Sequence, residues 1–238
     1  MKTRAAALVI VAACGLLAES AAQAKTITIG SPGPASDNTV VIGIVGTLVN
    51  FELPGARVTA PRNGVITSWK IARAEGGPFR LQVVHPSGDG FWTSPRSTGP
   101  ASVSVGPVTT FRANLPVRKG DYIGLLPTAA SDRVGGDAPP HANLMTFTPP
   151  LGPDPMSPTT TGPGEFGFNA QMTLDCVVPK LRGKRVRAAK KALKKAGCAP
   201  PKIKNKKGSK VVRKQKPKAG KRIRGDSAVT LTLGPKRK

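Results

Sequence analysis

Gly64-Val65-Ile66-Thr67-Ser68-Trp69-Lys70-Ile71 carries the signature that decides the fold of most of this chain. Val65, Thr67, Trp69 and Ile71 alternate with Ile66, Ser68 and Lys70. A period of two belongs to a half-buried strand, and it predicts that the Trp69 row faces a core. The pattern recurs on both sides. Phe79, Leu81 and Val83 alternate with Arg80 and Gln82. Phe111, Ala113, Leu115 and Val117 share one side of residues 109–117. Arg118-Lys119-Gly120 then turns the chain into an apolar run that starts at Asp121 and Tyr122. Residues 144–148 and 166–174 read as late strands. Short strands with turn residues between them predict an antiparallel β-sandwich, jelly-roll-like, over residues 25–175. Residues 127–142 and the Pro-, Thr- and Gly-rich residues 149–164 read as long loops within it. The second is not an interdomain linker, because the apolar strand at 166–174 behind it is needed to close the sandwich.

Composition agrees with this reading. The 238 residues include 27 Gly and 24 Pro, with only 4% aromatics, a mix that suits turns and strands better than long helices. Charge divides the chain in two. Residues 176–238 hold 24 Lys/Arg and one acid, Asp226, whereas residues 1–175 hold 13 Lys/Arg and 11 Asp/Glu. So uneven a distribution marks two domains, and the basic one attracts polyanions through a salt-screened field.

The N-terminus reads as an export signal over residues 1–24. Met1-Lys2-Thr3-Arg4 is basic, residues 5–17 are apolar but short for a membrane span, and Ala22-Gln23-Ala24 fits a cleavage site that leaves Lys25 first. No transmembrane span is then expected in the mature chain. A rival reading takes Val11-Ala12-Ala13-Cys14 as a lipobox with Cys14 lipidated, although its apolar run is unusually short. Without Cys14 two cysteines remain, Cys176 and Cys198. An even count in an exported chain suggests a disulfide, with two free thiols as the alternative.

Catalytic signatures are thin. His85 and His141 have no second His or Cys at metal spacing, so no metal or other cofactor is expected. Neither a nucleophile elbow, nor a phosphate loop, nor a pair of placed carboxylates stands out, and the chain is expected to be no enzyme. Asp121 sits in a turn and is expected to bond that turn. Residues 85–90 read as a hairpin turn, in which Asp89 alone is poor support for calcium. Trp92, beside Phe91, is a candidate sugar-stacking platform, and core cover is the competing role.

The basic segment has its own pattern. Val186, Ala189, Leu193 and Ala196 form one apolar stripe on a helix expected over residues 184–196, and Gly197 follows as a stop. Arg185, Arg187, Lys190, Lys191, Lys194 and Lys195 fill the remaining positions. Together with Lys214 and Lys216 they form a candidate basic, ligand-binding face. Three extended segments follow, at residues 199–204, 210–215 and 227–233. Arg185 stands where a Ser or Thr would cap the helix, which forgoes a cap worth ~1 kcal/mol and sets positive charge at the positive end of the dipole. Lys190/Lys194 and Lys191/Lys195 are like-charge pairs four residues apart. Charge kept against local stability hints that the charge is used.

The order of one helix and three strands resembles a PASTA domain, expected over residues 176–234 with a basic tail at 235–238. The residues that carry the resemblance are Val178-Pro179, Leu181 and Gly183; then Ala189, Leu193 and Ala196-Gly197; then Val211-Val212, Gln215, Pro217 and Ala219-Gly220; and finally Asp226-Ser227, Val229, Leu231 and Leu233-Gly234. Cysteines just before the Val-Pro pair and just after the helix look like a variant of this family, which supports a Cys176–Cys198 bond. The resemblance implies a small domain without catalytic residues, found on bacterial envelope proteins and regarded as binding peptidoglycan fragments or β-lactam-like ligands. The expected function is therefore non-enzymatic binding of peptidoglycan or another anionic cell-wall polymer by an extracellular or wall-associated protein. The alternative is a general polyanion binder driven by charge, nucleic acid included. Base stacking is closed to it, because no aromatic residue follows Cys176. A membrane-surface role is disfavoured, because half of the helix's apolar stripe is alanine and it has no aromatic anchor.

Overall fold

The computed structural model describes residues 26–33, 38–104, 106–204 and 211–235. The expected signal at residues 1–24, the Cys14 alternative within it, and residues 236–238 of the basic tail lie outside them. In chain order the elements begin with β1 (Thr26–Gly30), β2 (Thr39–Val41), β3 (Thr47–Glu52) and β4 (Gly64–Ala72). Then come β5 (Arg80–Gly88), β6 (Phe91–Ser97), β7 (Val108–Val117), β8 (Tyr122–Leu126) and β9 (Arg133–Asp137). After β10 (Asn143–Phe147), β11 (Thr160–Pro163), β12 (Glu165–Phe166) and β13 (Phe168–Val177) follows the helix α1 (Val186–Lys195). The chain closes with β14 (Lys202–Lys204), β15 (Val211–Lys216), β16 (Arg222–Arg224) and β17 (Thr230–Gly234).

The protein is mainly β, with antiparallel sheets before the helix and a small mixed sheet after it. One sheet runs β1-β13-β4-β7 and a second runs β11-β10-β3-β8-β5-β6, while the short β12-β9-β2 ladder lies beside them. Ile29, Ile66, Trp69, Phe168 and Met172 of the first sheet share one buried cluster with Leu48, Leu81, Val83 and Leu125 of the second. That shared cluster makes the pair a sandwich.

The Trp69 strand departs from simple alternation. β4 carries an extra residue, Thr67, opposite β13, which pairs Met172 with Ile66 and Gln171 with Ser68. A bulge adds one residue to one strand and so reverses which residues face inward beyond it. Ile66, expected on the outer row, is fully buried with Trp69 and Ile71, and Thr67 is only partly buried. Phe111 meets Trp69 with ring centroids 4.5 Å apart, and Leu115 and Val117 join the same core, as their alternation predicts.

The second sheet is covered on both faces. Val49, Val84, Trp92, Met145, Phe147 and Leu151 form a further buried cluster on its far side. Part of the segment expected as a loop at 149–164 straps over it. Leu151 N–H donates to Thr47 Oγ1 at 2.9 Å, and Gln82 Nε2 donates to Leu151 O at 3.0 Å. Trp92 N–H and Met156 O are 2.9 Å apart. Double cover explains why Leu81, Gln82, Val83 and Val84 are buried in succession instead of alternately.

Both expected long loops contain strands, β9 in one and β11 in the other. The turn expected at 85–90 is also shorter. β5 runs through Gly88 and pairs with Phe91, which leaves Asp89 (φ 51°) and Gly90 (φ 79°) as a two-residue turn. Two positive φ values in sequence match the twist of antiparallel neighbours.

Beyond Leu174, β13 leaves its pairing with β4 and pairs with β16 instead, Asp175 opposite Arg224 and Val177 opposite Arg222. The strand thus continues unbroken through residue 175, where the sequence reading sets the boundary between the two units.

Candidate ligand-binding domain

Among the described residues, the core of the C-terminal unit includes Val178, Leu181, Ala189, Leu193, Val212, Leu231 and Leu233. Ala189 and Leu193 bring the helix stripe onto one face of the β14-β17-β15 sheet. The helix spans Val186–Lys195, so Arg185 is its N-cap residue, in extended conformation and without a side-chain cap bond. Its first turn holds no acid. At the other end Gly197 adopts φ 73°. Gly197 N–H donates to Lys194 O at 3.1 Å, and Cys198 N–H donates to Leu193 O at 3.0 Å. This pairing closes the helix as a Schellman motif, and its left-handed position favours glycine.

Cys176 and Cys198 are joined by a disulfide. It ties the end of β13 to the residue just past the helix stop. Gln215 holds the entry to the domain from the opposite side. Its Oε1 accepts Leu181 N–H at 2.7 Å, and its Nε2 donates to Pro179 O at 3.0 Å and to Pro217 O at 3.4 Å. Gly220 N–H donates to Val178 O at 2.8 Å, and Val178 N–H to Lys221 O at 3.0 Å. The Gln-x-Pro-x-Ala-Gly element is thus the clasp on the Val-Pro-x-Leu segment.

Residues 177–235 match the family model of the PASTA domain. The match takes in the helix, its sheet and the clasp, and it covers the C-terminal quarter of the chain. No curated protein matches the chain, and no solved structure does.

The cations of the PASTA domain do not form the single face expected from sequence. Arg187, Lys190, Lys191, Lys194 and Lys195 are exposed along the helix, with Arg185 at its start. Lys214 and Lys216 are exposed on the other side of the domain. β15 pairs Lys214 with Thr232 and Lys216 with Thr230, and β14 pairs Lys202 with Thr230 and Lys204 with Thr232. Cross-strand partners share a face, and Thr230 and Thr232 alternate with the buried Leu231 and Leu233 that look toward the helix. Lys202, Lys204, Lys214 and Lys216 therefore flank two threonines on the sheet face turned away from the helix. Standard sheet geometry sets lysines on one strand about 7 Å apart and the two lysine rows about 10 Å apart. Helical periodicity could not reveal this set, because the lysines become neighbours only through the β17 register. Asp226, the single acid of the segment, is held by Arg224, with Nη2 to Oδ2 at 2.6 Å. Among the described residues no other carboxylate of this domain faces either cation set.

The sandwich positions its own candidates differently. Trp92 is buried, 9% exposed, with ring centroids 5.1 Å from Tyr122, 6.2 Å from Phe51 and 6.4 Å from Phe147. It covers the second sheet and has no free face for a sugar, which corrects the platform expectation. Phe51 and Phe91 are the exposed rings nearby, 42% and 45%. Burial pushes the Tyr122 hydroxyl above its ordinary range. Asp121 is buried and bonds its own turn as expected, since Oδ2 accepts Arg118 N–H at 2.7 Å. Its Oδ1 lies 2.7 Å from His85 Nδ1, a contact the sequence reading missed. Among the described residues, no helix is long and apolar enough to cross a membrane.

Proposed function

We propose that this chain is an exported, non-enzymatic binding protein whose PASTA domain attaches it to anionic cell-wall polymer, either peptidoglycan or a polyanion linked to it. The observation that carries the reading is the sheet face of Lys202, Lys204, Lys214 and Lys216 around Thr230 and Thr232, a flat array of ammonium and hydroxyl donors without a neutralising carboxylate. A flat donor array suits an extended polymer better than a small enclosed ligand. Lysine contributes point charges without the fork that fixes one anion geometry, so binding should be broad and sensitive to salt. The sandwich serves as the second, outward-facing module.

Retention of the full chain on purified cell-wall sacculi, measured at rising salt, tests this. Retention at low salt should fall when the four sheet lysines are replaced by glutamine and fall less when Lys190, Lys191, Lys194 and Lys195 are replaced. No retention of the parent chain at low salt would sink the proposal. Preference for DNA over sacculi in direct competition would shift the reading to a general polyanion binder.

A further inference from the structure

Where the two units meet, the surface opens into a cleft of about 450 Å³. Arg62, Asn63 and Lys119 line it from the sandwich, Asp175 and Val177 from the shared strand, and Arg222 from β16. We infer that this cleft is a second ligand site, which takes a phosphate or carboxylate group between Arg62, Lys119 and Arg222. The inference stands apart from wall binding, since it uses neither of the PASTA domain's two lysine arrays.

Three cations from chain segments far apart in sequence converge on one concavity. Bringing like charges together is unfavourable unless an anion joins them. Among the described residues none of the three has a carboxylate within ion-pair distance, although Arg224 pairs with Asp226 and Arg133 with Glu75 elsewhere. Asp175 lines the cleft with them, but its carboxylate is in no such pair, so the lining keeps an excess of two positive charges. The donors are also partly held in place. Arg62 Nη2 donates to the Asp175 main-chain carbonyl at 3.1 Å, which fixes one arm of the guanidinium and leaves the others for a ligand. Asn63 Oδ1 accepts Lys119 N–H at 3.0 Å, so the amide's donor end is its NH2, a neutral donor beside the cations. Two guanidiniums, an ammonium and an amide are the donor set that oxyanions take. Val177, 48% exposed, adds an apolar wall for whatever bears the anionic group.

The test is titration of the full chain at low salt with tripolyphosphate and, separately, with citrate, followed by calorimetry and amide chemical shifts. The two arms separate phosphate from carboxylate as the group taken. Binding of at least one is expected, with shifts at Asn63, Lys119 and Val177. The Arg62→Gln/Lys119→Gln/Arg222→Gln variant should lose at least tenfold in affinity. The variant Lys190→Gln/Lys191→Gln/Lys194→Gln, which removes the same charge from the helix, should lose less than threefold. Equal losses in the two variants, or no binding of either probe by the parent chain, would overturn the assignment. Should the triple variant be destabilised, Lys119→Gln alone, at an exposed side chain, must still lower affinity by about threefold. Sacculus retention can fail while this site stands, and the reverse, so the two readings are separately refutable.

Discussion

Removing the Cys176–Cys198 bond measures how much the PASTA domain depends on its staple. The two cysteines are 22 residues apart in sequence. In the chain-entropy model a loop of that size stabilises the folded state by about 3 kcal/mol. A domain of about 60 residues is marginal by core size alone, and this one also carries an uncapped, lysine-crowded helix. Cys176→Ala/Cys198→Ala should therefore lower the domain's melting temperature by roughly 12–24 °C, at about 4–8 °C per kcal/mol. Intrinsic fluorescence is blind to the change, because every aromatic residue precedes Cys176. Amide hydrogen exchange is the suitable assay. Val212 N–H, bonded to Lys184 O at 2.9 Å, and Ala189 N–H, bonded to Arg185 O at 2.9 Å, should exchange about a hundredfold faster in the variant. Ala72 N–H, bonded to Gly167 O at 2.7 Å inside the sandwich, should change little. Reduction of the parent chain should reproduce the pattern. A change below threefold at Val212 would refute the reasoning, and an equal loss at Ala72 would show that the bond supports the whole chain.

Three further outcomes are expected. Gln215→Ala leaves Leu181 N–H and Pro179 O without their partner and should destabilise the PASTA domain by about 2 kcal/mol, read as faster exchange at Leu181 and Val178. Arg185→Asp supplies both a cap and a favourable charge at the helix start; it should slow exchange in the first helical turns by an amount equivalent to about 1 kcal/mol, while sacculus retention changes little. Trp92→Ala empties a packed aromatic cluster and should cost about 3–5 kcal/mol in denaturant unfolding followed by Trp69 fluorescence, with no effect on glycan retention specific to that ring.

Legibility in the sequence followed the physics of each element. The helix, its stripe and its glycine stop were readable because all three are local. The β4 strand was readable as a strand, but its inward row was not, since the bulge at Thr67 depends on the pairing with β13. β9 escaped notice because Gly135 and Gly136 look like loop residues. A side chain at Gly135 would stand 3.0 Å from Ala72 Cβ, and one at Gly136 would stand 2.6 Å from Val40 Cγ2. These glycines mark close packing between ladders, not a turn. β1 and β3 went unread although they are as long as β8 and β10, β2 is only three residues, and β16 is three residues whose role depends on β13. At the candidate sites, the excess of charge was plain from composition, but its division between two opposite faces follows from the β17 register. The junction cleft joins Arg62, Lys119 and Arg222, which no sequence window spans.

The continuity of β13 gives the protein a mechanical character. Held at its PASTA domain by a stiff surface, the chain would receive any pull along the axis of a single strand. That strand is paired with β1 on one side and β4 on the other. Antiparallel ladder bonds lie across the strand axis. A tensile load therefore meets them side by side, in shear, and no slack segment lies between anchor and sandwich to absorb it. Tension reaches the sandwich undiminished and is shared by two ladders at once, so the molecule behaves as a rigid bracket, not a ball on a string.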